Sequence, residues 1–399
     1  MLNRFLIQFE ESVQRLKKRG INKSQLSIIK DNLEQINQLK KIINQQRETR
    51  NKLSIGPQNS FKVNQLKKII NQQEENLADL EKKTSNLIVQ IPNFPAENVP
   101  LDENKFVDET KYHHSIKHQF TYEQIAKKLN IIDEKASIKL AGSKFVVYQG
   151  LGSQLVHALI NFMLNEQQKK GYRLFTIPYL VKEHNLHHTG QLPKFQEDLF
   201  KLENSDFYLI PTAEVPLMNL YQNEILPENK LPLKLCAYSP CFRAEAGAAG
   251  QENKGLIRLH QFHKVELVRI VDPKTSYLHL KKLVEDARHI LHLLEMPHRV
   301  IELSCKDLGF SSAKTYDLEI WLPNSKKWLE ISSCSNCEEF QTERAKIRIK
   351  KKNEEKYYPH SLNGSGLAID RLIVALLEYY YSEQNNSFVI PEVLRKYFN

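Results

Sequence analysis

The chain of 399 residues carries 57 lysines and arginines against 47 aspartates and glutamates, which gives a net charge of +10. Its hydrophobic fraction of 41% and charged fraction of 26% are those of a globular protein, and its length allows two or three domains. The sequence contains no apolar run of the ~18 residues that a membrane-spanning helix needs, and its N-terminus lacks a signal-peptide pattern. These observations predict a cytoplasmic protein without a membrane partner.

The excess of positive charge is concentrated in the first quarter of the chain. Residues 1–100 hold 17 lysines and arginines against 10 acidic residues, whereas the other 299 residues hold 40 against 37. A local basic surplus indicates a polyanion partner, because phosphate contacts release counterions. A solvated basic helix would show the same surplus, so the charge alone does not decide between the two.

Two long helices are predicted within residues 24–87. Apolar residues follow three-and-four spacing over residues 24–50, and a seven-residue repeat is sharper over residues 61–87. Each helix of about 27 residues would span roughly 40 Å. Gly56 and Pro57 between them indicate a helix stop and a turn. The pattern therefore predicts an antiparallel coiled-coil hairpin.

Three prolines within residues 91–100 cannot continue a helix, and they predict a boundary between a domain at 1–100 and a domain at 101–399. The second domain mixes helical and strand patterns. Helices are predicted over residues 126–139, 155–169 and 275–294. Strands are predicted over residues 172–181, 207–215, 233–245, 257–271, 299–303, 316–322, 327–332 and 344–350.

The strands predicted at 233–245 and 257–271 carry an unusual polar face. Side chains alternate with period two, so Arg243 shares a face with Glu245, and Phe262 shares a face with Glu266. The joining loop contains glycines and favours an antiparallel pair. Arginine, carboxylates and one aromatic ring on a single face predict a site for an anionic ligand with a flat base. Taken singly, the same residues could form an ordinary cross-strand ion pair and a core contact.

Two further patterns carry weaker signals. The odd number of cysteines, five, argues against a disulfide framework. Cys334 and Cys337 have CxxC spacing, but no second pair completes a zinc site, so reduced thiols are the preferred interpretation. Residues 363–378 are predicted to form a glycine-rich turn that opens an apolar helix, and a helix N-terminus can bind an anion. The sequence has no P-loop, dinucleotide-binding glycine motif or nucleophile elbow.

Six separated stretches carry a family resemblance. They are GYRLFTIP at 171–178, TGQLPKF at 189–195, PTAEVPL at 211–217, FRAE at 242–245 with the strand through Glu266, EISSCSN at 330–336 and GSGLAIDR at 364–371. The first, fourth and sixth resemble motifs 1, 2 and 3 of the class II aminoacyl-tRNA synthetases, and the other three resemble the seryl-tRNA synthetase family among them. The resemblance runs from about residue 142 to residue 398. The hairpin is similar to that family's tRNA-binding arm in architecture and position.

The resemblance implies an α+β fold with a class II synthetase antiparallel sheet, flanked by helices and preceded by the coiled-coil hairpin. It implies a homodimer that activates L-serine with ATP and Mg²⁺ and transfers the serine to tRNA(Ser), and it leaves the use of tRNA(Sec) open. An amino acid:carrier protein ligase would lack the long arm. A non-catalytic tRNA-binding paralogue would have lost part of the set Arg243, Glu330 and Arg371. A class II enzyme for another small amino acid is a third alternative, against which Thr212 and Glu214 argue.

The resemblance also assigns roles to individual residues. Arg243 would contact the α-phosphate and the serine carboxylate, Glu245 would bind the adenine amino group, and Phe262 and Arg371 would hold the two faces of the base. Glu330 and Ser333 would hold Mg²⁺, which prefers hard oxygen ligands. The implied catalytic residues are Arg243 and Arg371. The implied ATP-binding residues are Arg243, Ala244, Glu245, Phe262, Glu330, Ile331, Ser332, Ser333 and Arg371. The implied serine-binding residues are Thr212, Ala213, Glu214, Arg243, Glu266, Asn363 and Ser365.

This chemistry needs no side-chain nucleophile. The α-carboxyl group of serine, with an ordinary pKa near ~3.5, is ionised at neutral pH and can itself attack the α-phosphate. The site must orient the substrates and compensate phosphate charge, so a Ser/His/Asp set is not expected. The chain departs from the family pattern at positions that bear more on contacts with the end of the tRNA than on activation. They are Ala244, Gln251, Lys254, Glu343 and Asp370.

Overall fold

The computed structural model describes residues 9–54, 59–114, 116–246 and 255–398. The chain divides into two compact units, Met1–Pro95 and Ala96–Asn399. The division lies within the proline-rich residues 91–100. No helix among the described residues combines the length and the apolar character that crossing a membrane requires.

The described part of the first unit consists of the helices α1 (Phe9–Lys17), α2 (Lys23–Leu53) and α3 (Ser60–Ile88). Helices α2 and α3 are antiparallel, because Lys40 pairs with Glu81 and Arg47, further along α2, pairs with Glu74, further back on α3. The prediction of two long antiparallel helices is confirmed, and both are slightly longer than predicted. The turn predicted at Gly56 and Pro57 lies outside the described residues.

The base of this helical hairpin has its own small core. Leu16 of α1 and Leu26 of α2 are fully buried there, together with Phe94 from the segment that follows α3. Further along the hairpin the seam is narrower and includes Ile43 and Ile70. The base therefore holds the main hydrophobic cluster among the described residues of the first unit, and the outer hairpin extends from it.

The second unit is organised around a large antiparallel sheet. In chain order its strands are β1 (Lys105–Thr110), β2 (Arg173–Leu174), β3 (Leu180–Lys182), β4 (Phe207–Leu209), β5 (Ile225–Pro227), β6 (Leu233–Phe242), β7 (Gln261–Val271), β8 (His298–Glu302), β9 (Lys314–Leu322), β10 (Lys327–Glu338), β11 (Arg348–Lys350), β12 (Lys356–Tyr357), β13 (His360–Ala368), β14 (Tyr381–Ser382) and β15 (Ser387–Phe388). Eight of them form the main sheet in the order β1-β8-β9-β10-β13-β7-β6-β2. All neighbours are antiparallel except β2 and β6.

Helices cover this sheet and complete the predicted α+β fold, which is confirmed. They are α4 (Tyr122–Lys128), α5 (Glu134–Ala141), α6 (Leu151–Lys169), α7 (Glu183–Thr189), α8 (Glu214–Asn219), α9 (Ser276–Leu293), α10 (Phe340–Arg344) and α11 (Ile369–Tyr380). Val265 and Leu267 of β7 belong to the core formed with α6, α9 and α11, whereas Val268 and Ile270 belong to a second core. Strand β7 is therefore buried on both faces, and its even-numbered side chains face away from the three long helices.

The prediction of a single helix at 126–139 is wrong. The chain forms α4 and α5 instead, and Asn130 between them has a left-handed backbone with φ of 53°. The side chain of Asp133 accepts a hydrogen bond from the backbone N–H of Ala136 at 2.8 Å. A cap of this kind satisfies an amide at a helix start and so favours a new helix there.

Several strand predictions in the second unit are also corrected. The segments 172–181 and 207–215 contain only short strands, and residues from Glu214 onward form α8. The strand predicted at 344–350 is reduced to β11, because α10 extends to Arg344 and Lys346 has a left-handed backbone with φ of 54°. The glycine-rich turn predicted before the last long helix is strand β13, in the middle of the main sheet. The helix α11 begins only at Ile369.

Candidate active site

A cavity of about 440 Å³ lies over the central strands of the sheet. Most of the sequence-predicted site residues line it, and they come from the strands β7, β10 and β13, the segment after β6, the start of α8 with the residues before it, and the start of α11. The predicted residues that line the cavity are Thr212, Glu214, Arg243, Glu245, Phe262, Glu266, Glu330, Ile331, Ser333, Asn363, Ser365 and Arg371. Ala213, Ala244 and Ser332 do not line it.

Strand β7 supplies the floor of the cavity. Phe262, Lys264 and Glu266 are successive even-numbered residues of this strand, and all three line the cavity. The guanidinium carbon of Arg243 lies 5.1 Å from the centre of the Phe262 ring. The Nε atom of Arg243 donates to the carbonyl oxygen of Pro211 at 3.3 Å. The arginine is thus held between an aromatic ring and a backbone carbonyl.

The segment that carries Glu245 is not part of a strand, so the parity argument that placed Arg243 and Glu245 on one face is wrong. Strand β6 ends at Phe242, and Glu245 has a left-handed backbone with φ of 52°. Asp198 fixes the segment, because its backbone oxygen and Oδ1 accept from the amides of Ala244 and Ala246 at 2.8 and 2.9 Å. The Glu245 carboxylate lies 3.2 Å from the guanidinium of Arg258. Both predicted residues still line the cavity.

Glu330 and Ser333 of β10 share a face because the strand contains a bulge. Residues three apart in a regular strand point to opposite faces. The register between β10 and β9 shifts between Glu330 and Ser332, and one extra residue restores a common face. Arg371 lies next to this bulge, where its Nη1 donates to the backbone oxygen of Glu330 at 2.8 Å. Ser332 points elsewhere, and its hydroxyl donates to the backbone oxygen of Ser365 at 2.6 Å.

A carboxyl group that the sequence analysis missed lies beside these oxygens. Asp317 of β9 is the direct cross-strand partner of Ser333 and is 9% exposed. Its Oδ1 atom is buried and accepts no hydrogen bond from the described residues. Burial, and after it the neighbouring Glu330 carboxylate, raises the pKa of Asp317 to about 8. A buried oxygen without a donor, next to a carboxylate and a hydroxyl, fits a hard divalent cation such as Mg²⁺.

The other end of the cavity holds a buried polar cluster. The Thr212 hydroxyl donates to Oε2 of Glu266 at 2.9 Å, and Lys264 Nζ lies 2.5 Å from the same oxygen. Lys264 Nζ also donates to the Thr212 hydroxyl at 2.9 Å. Among the described residues both donors use Oε2 of Glu266, which leaves its Oε1 for a group in the cavity.

Glu214 is the second acidic group of this cluster. Its Oε1 accepts from Nε2 of Gln341 at 2.6 Å and from Nδ2 of Asn363 at 2.8 Å. Burial, and after it the neighbouring charge of Glu266, raises the pKa of Glu214 to about 7. The cluster can therefore offer two carboxylates to a ligand that carries an ammonium group and a hydroxyl group.

Sequence reasoning missed Lys264, Gln341 and Asp317. Lys264 lies on the same parity as Phe262 and Glu266, so the strand pattern placed it on the right face without giving it a role. No local signal identifies Gln341 or Asp317, because their partners are far away in the chain. Asn363 and Ser365 lie in the cavity because β13 is a strand, and not because a turn opens a helix there.

The sheet with its helices and this cavity define the catalytic core of a class II aminoacyl-tRNA synthetase. The family model described as "tRNA synthetase class II core domain (G, H, P, S and T)" matches residues 198–380. The serine–tRNA ligase of Carboxydothermus hydrogenoformans is 49% identical over 328 residues, which are 80% of this chain and 77% of that protein. The chain therefore belongs to the seryl-tRNA synthetase family.

Solved structures agree with this membership. The seryl-tRNA synthetase of Pyrococcus horikoshii, crystallised with ATP, matches with a TM-score of 0.90 and 30% identity, over 99% of this chain and 97% of that chain. The cytoplasmic serine–tRNA ligase of Naegleria fowleri, in complex with AMP, matches with a TM-score of 0.86 and 25% identity, over 98% and 94%. The sequence-based prediction of a class II seryl-type synthetase is confirmed.

Proposed function

We propose that this aminoacyl-tRNA ligase uses the cavity to join L-serine to the α-phosphate of ATP, and then passes the serine to the 3′-terminal hydroxyl of tRNA(Ser). The observation that carries the proposal is the joint placement of two different subsites in one cavity. The pair Arg243 and Phe262 suits a nucleotide, and the buried cluster around Glu214 and Glu266 suits a small amino acid. We treat these as the nucleotide half and the serine half of the site.

In the nucleotide half, the adenine would lie on the ring of Phe262, with Arg371 on its other face. Stacking on an aromatic ring and on a guanidinium plane is favourable for any base. Glu245 would accept a hydrogen bond from the adenine amino group. Its ion pair with Arg258 holds the carboxylate in place.

In the serine half, Glu214 would bind the substrate ammonium, and Oε1 of Glu266 would accept from the substrate hydroxyl. Asn363 and Ser365 would complete the wall. A site built to hydrogen-bond a substrate hydroxyl can reject the analogue without it by about 10⁴–10⁵. This arrangement would exclude alanine.

Arg243 would act between the two halves. Its planar guanidinium can bind the serine carboxylate and a phosphate oxygen at once, and it compensates the negative charge that both substrates bring. The serine carboxylate is the nucleophile, so the bond to the α-phosphorus forms as the bond to pyrophosphate breaks, without a protein base. Arg371 would compensate charge toward the terminal phosphate.

Glu330 and Ser333 would hold Mg²⁺ in this scheme. The bulge in β10 presents both oxygens to the cavity, and the buried Oδ1 of Asp317 beside them lacks a donor among the described residues. When bound, the ion would supply further neutralisation of phosphate charge.

The helical hairpin would bind the body of the tRNA. Among the described residues of the first hundred, five basic side chains form ion pairs, those of Arg15, Lys23, Lys30, Lys40 and Arg47. The 17 basic residues of this stretch still outnumber its 10 acidic residues, and this net positive charge suits a phosphate backbone, for which a salt-sensitive affinity is expected.

We also propose that the enzyme is a cytoplasmic homodimer. The edge strand β2 lies within the stretch that resembles motif 1, and Tyr179, Leu180 and Phe207 nearby are exposed apolar side chains. Light scattering should give twice the mass of the chain, and Leu180→Asp should shift the protein toward monomer. A monomeric wild-type protein would overturn this part.

The central experiment is ATP–pyrophosphate exchange screened across all twenty amino acids. Serine alone should support rapid exchange, and Arg243→Ala should abolish it. Arg243→Lys is the matched control, because it keeps the charge and loses the planar two-pronged donor, and it should also be severely impaired. Serine activation followed by charging of a carrier protein instead of tRNA(Ser) would favour the carrier-protein alternative.

A further inference from the structure

The carboxylate of Asp370 lines the cavity but has no part in the chemistry described above. It is the second residue of α11, next to Arg371, and is 2% exposed. A carboxylate on the wall of a site for a polyanion is unfavourable unless protein donors compensate its charge. Here the positive end of the helix dipole and several hydrogen bonds compensate it.

One oxygen of Asp370 extends the hydrogen-bond ladder of the sheet. Strand β13 ends at Ala368, whose partner on β7 is Lys264. The next amide of β7 in that direction belongs to His263, and it donates to Oδ2 of Asp370 at 2.6 Å. The side chain thus replaces the strand neighbour that β13 no longer provides, and it holds β7 directly beside Phe262.

The other oxygen joins a third segment to this point. Oδ1 of Asp370 accepts from the Tyr148 hydroxyl at 2.7 Å and lies 3.4 Å from Nδ1 of His263. The His263 ring lies against the ring of Tyr238 on β6, with centres 6.2 Å apart and planes 7° apart. Asp370 therefore connects the start of α11 with β7, with β6 through His263, and with the segment before α6.

The next residue, Arg371, is held by hydrogen bonds to two other segments. The Nε and Nη1 atoms of Arg371 donate to the backbone oxygens of Ile257 and Glu330 at 3.2 and 2.8 Å. Two consecutive residues thus fix the start of α11 between β7 and β10. The distance between Phe262 and Arg371 depends on both attachments.

We propose that Asp370 is a positioning residue that sets the separation of Phe262 and Arg371, and so the fit of the nucleotide base between them. This inference rests on the proposed function of the cavity. It assigns Asp370 to the nucleotide half only, since its hydrogen bonds reach none of Thr212, Glu214 and Glu266.

The test compares ATP and serine in the same full-length variants. Misplacement of a binding group by about 1 Å can cost up to about 100-fold. Asp370→Ala should therefore raise the KM for ATP and the calorimetric Kd for MgATP by about 10–100-fold, while the KM for serine stays within about twofold. Asp370→Asn, which keeps one acceptor oxygen, should show a smaller rise. Tyr148→Phe should also show a smaller rise, and no further effect when combined with Asp370→Ala.

The matched control is Glu378→Gln. Glu378 is a buried carboxylate on the same helix that accepts from the backbone amide of Asn324 at 3.0 Å and from the Ser325 hydroxyl at 2.6 Å, and it does not line the cavity. Its replacement should lower the thermal midpoint and leave the KM for ATP unchanged.

Three results would overturn the inference: an unchanged KM for ATP in folded Asp370→Ala, a parallel rise in both KM values, or the same ATP defect in Glu378→Gln. If Asp370→Ala does not fold, the KM for ATP and the KM for serine are compared in Asp370→Asn and Tyr148→Phe instead. A wild-type protein without serine-dependent exchange would instead refute the proposed function, and the MgATP titration would still decide the role of Asp370.

Discussion

The Nζ atom of Lys264 lies 2.5 Å from Oε2 of Glu266, and the two side chains are 9% and 3% exposed. Burying a carboxylate to this extent is costly unless a partner compensates its charge. The lysine supplies that compensation, and with the Thr212 hydroxyl it also fixes which oxygen of Glu266 faces the cavity. A residue that need not touch the substrate thereby determines what the serine half can bind.

Lys264→Met is expected to leave Glu266 as an uncompensated buried carboxyl. Loss of one partner of a buried ion pair costs about 3–5 kcal/mol, so urea unfolding at neutral pH should show a decrease of that order. The KM for serine should rise while the KM for ATP changes little. The double variant Lys264→Met with Glu266→Gln should regain stability without regaining serine activation. A folded Lys264→Met protein with an unchanged serine KM would contradict the role given to this pair.

Glu214 gives a prediction for the pH dependence of serine activation. Its pKa, raised mainly by burial, is about 7, and the ionised form is the one that binds an ammonium group. The kcat/KM for serine should therefore rise between about pH 6 and pH 8, since this ratio reports the ionisation of the free enzyme. Exchange at saturating ATP measures it. The Glu214→Gln variant should have a low kcat/KM for serine at every pH and should lack the rise. The same pH profile in both proteins would show that Glu214 does not bind the ammonium group.

The same group makes a stability prediction of opposite sign. A carboxyl group whose pKa is raised in the folded state, here from 4.5 to about 7, stabilises fully below the unfolded value and loses this contribution as the pH rises through the folded value. The loss corresponds to about 3 kcal/mol. The free energy of unfolding of Glu214→Gln minus that of the wild type, measured with denaturant, should therefore be larger at pH 8 than at pH 4. Equal stability differences at both pH values would show that Glu214 is not protonated on burial.

The outer hairpin can be removed without disturbing its base. The ion pairs Lys40–Glu81 and Arg47–Glu74 fix the register, so a short glycine–serine linker in place of residues 38–83 joins facing positions and keeps the core around Leu16 and Leu26. The shortened enzyme should retain serine-dependent exchange and lose charging of tRNA(Ser). Full charging by this variant would show that the arm does not bind the tRNA. Reversal of only the two ion pairs, with both partners exchanged, is the matched control and should charge normally.

Much of the fold could be predicted from local residue patterns, because apolar residues repeat with the helix or strand period wherever one face of the element is buried. The pair β6 and β7 and the helices α2 and α3 are examples. Strand β13 could not be predicted, since Gly364 and Gly366 suggest a turn. A Cβ atom added at Gly364 would lie 2.8 Å from the sulfur of Cys334. The glycine permits close packing of two strands, and a single sequence does not distinguish that requirement from a turn.

The site divides in the same way. The spacing of Phe262 and Glu266 is enough to place them on one face of a strand. Arg243 and Glu245 also line the cavity, but spacing does not explain why. Their segment is held there by hydrogen bonds to Asp198. The partners Gln341 and Asp317 are contributed by distant elements. Their contacts depend on tertiary packing, which local residue patterns do not encode.

The bulge in β10 has a consequence for how distant members of this family are compared. Glu330 and Ser333 face the same way at a separation of three because one extra residue lies between them. Residues two apart in a regular strand also share a face, so a deletion of Ile331 that removed the bulge would leave both oxygens on the cavity side. A distant copy can therefore carry this pair at a spacing of two or of three, and an alignment that forces one fixed spacing would misplace one of the two residues.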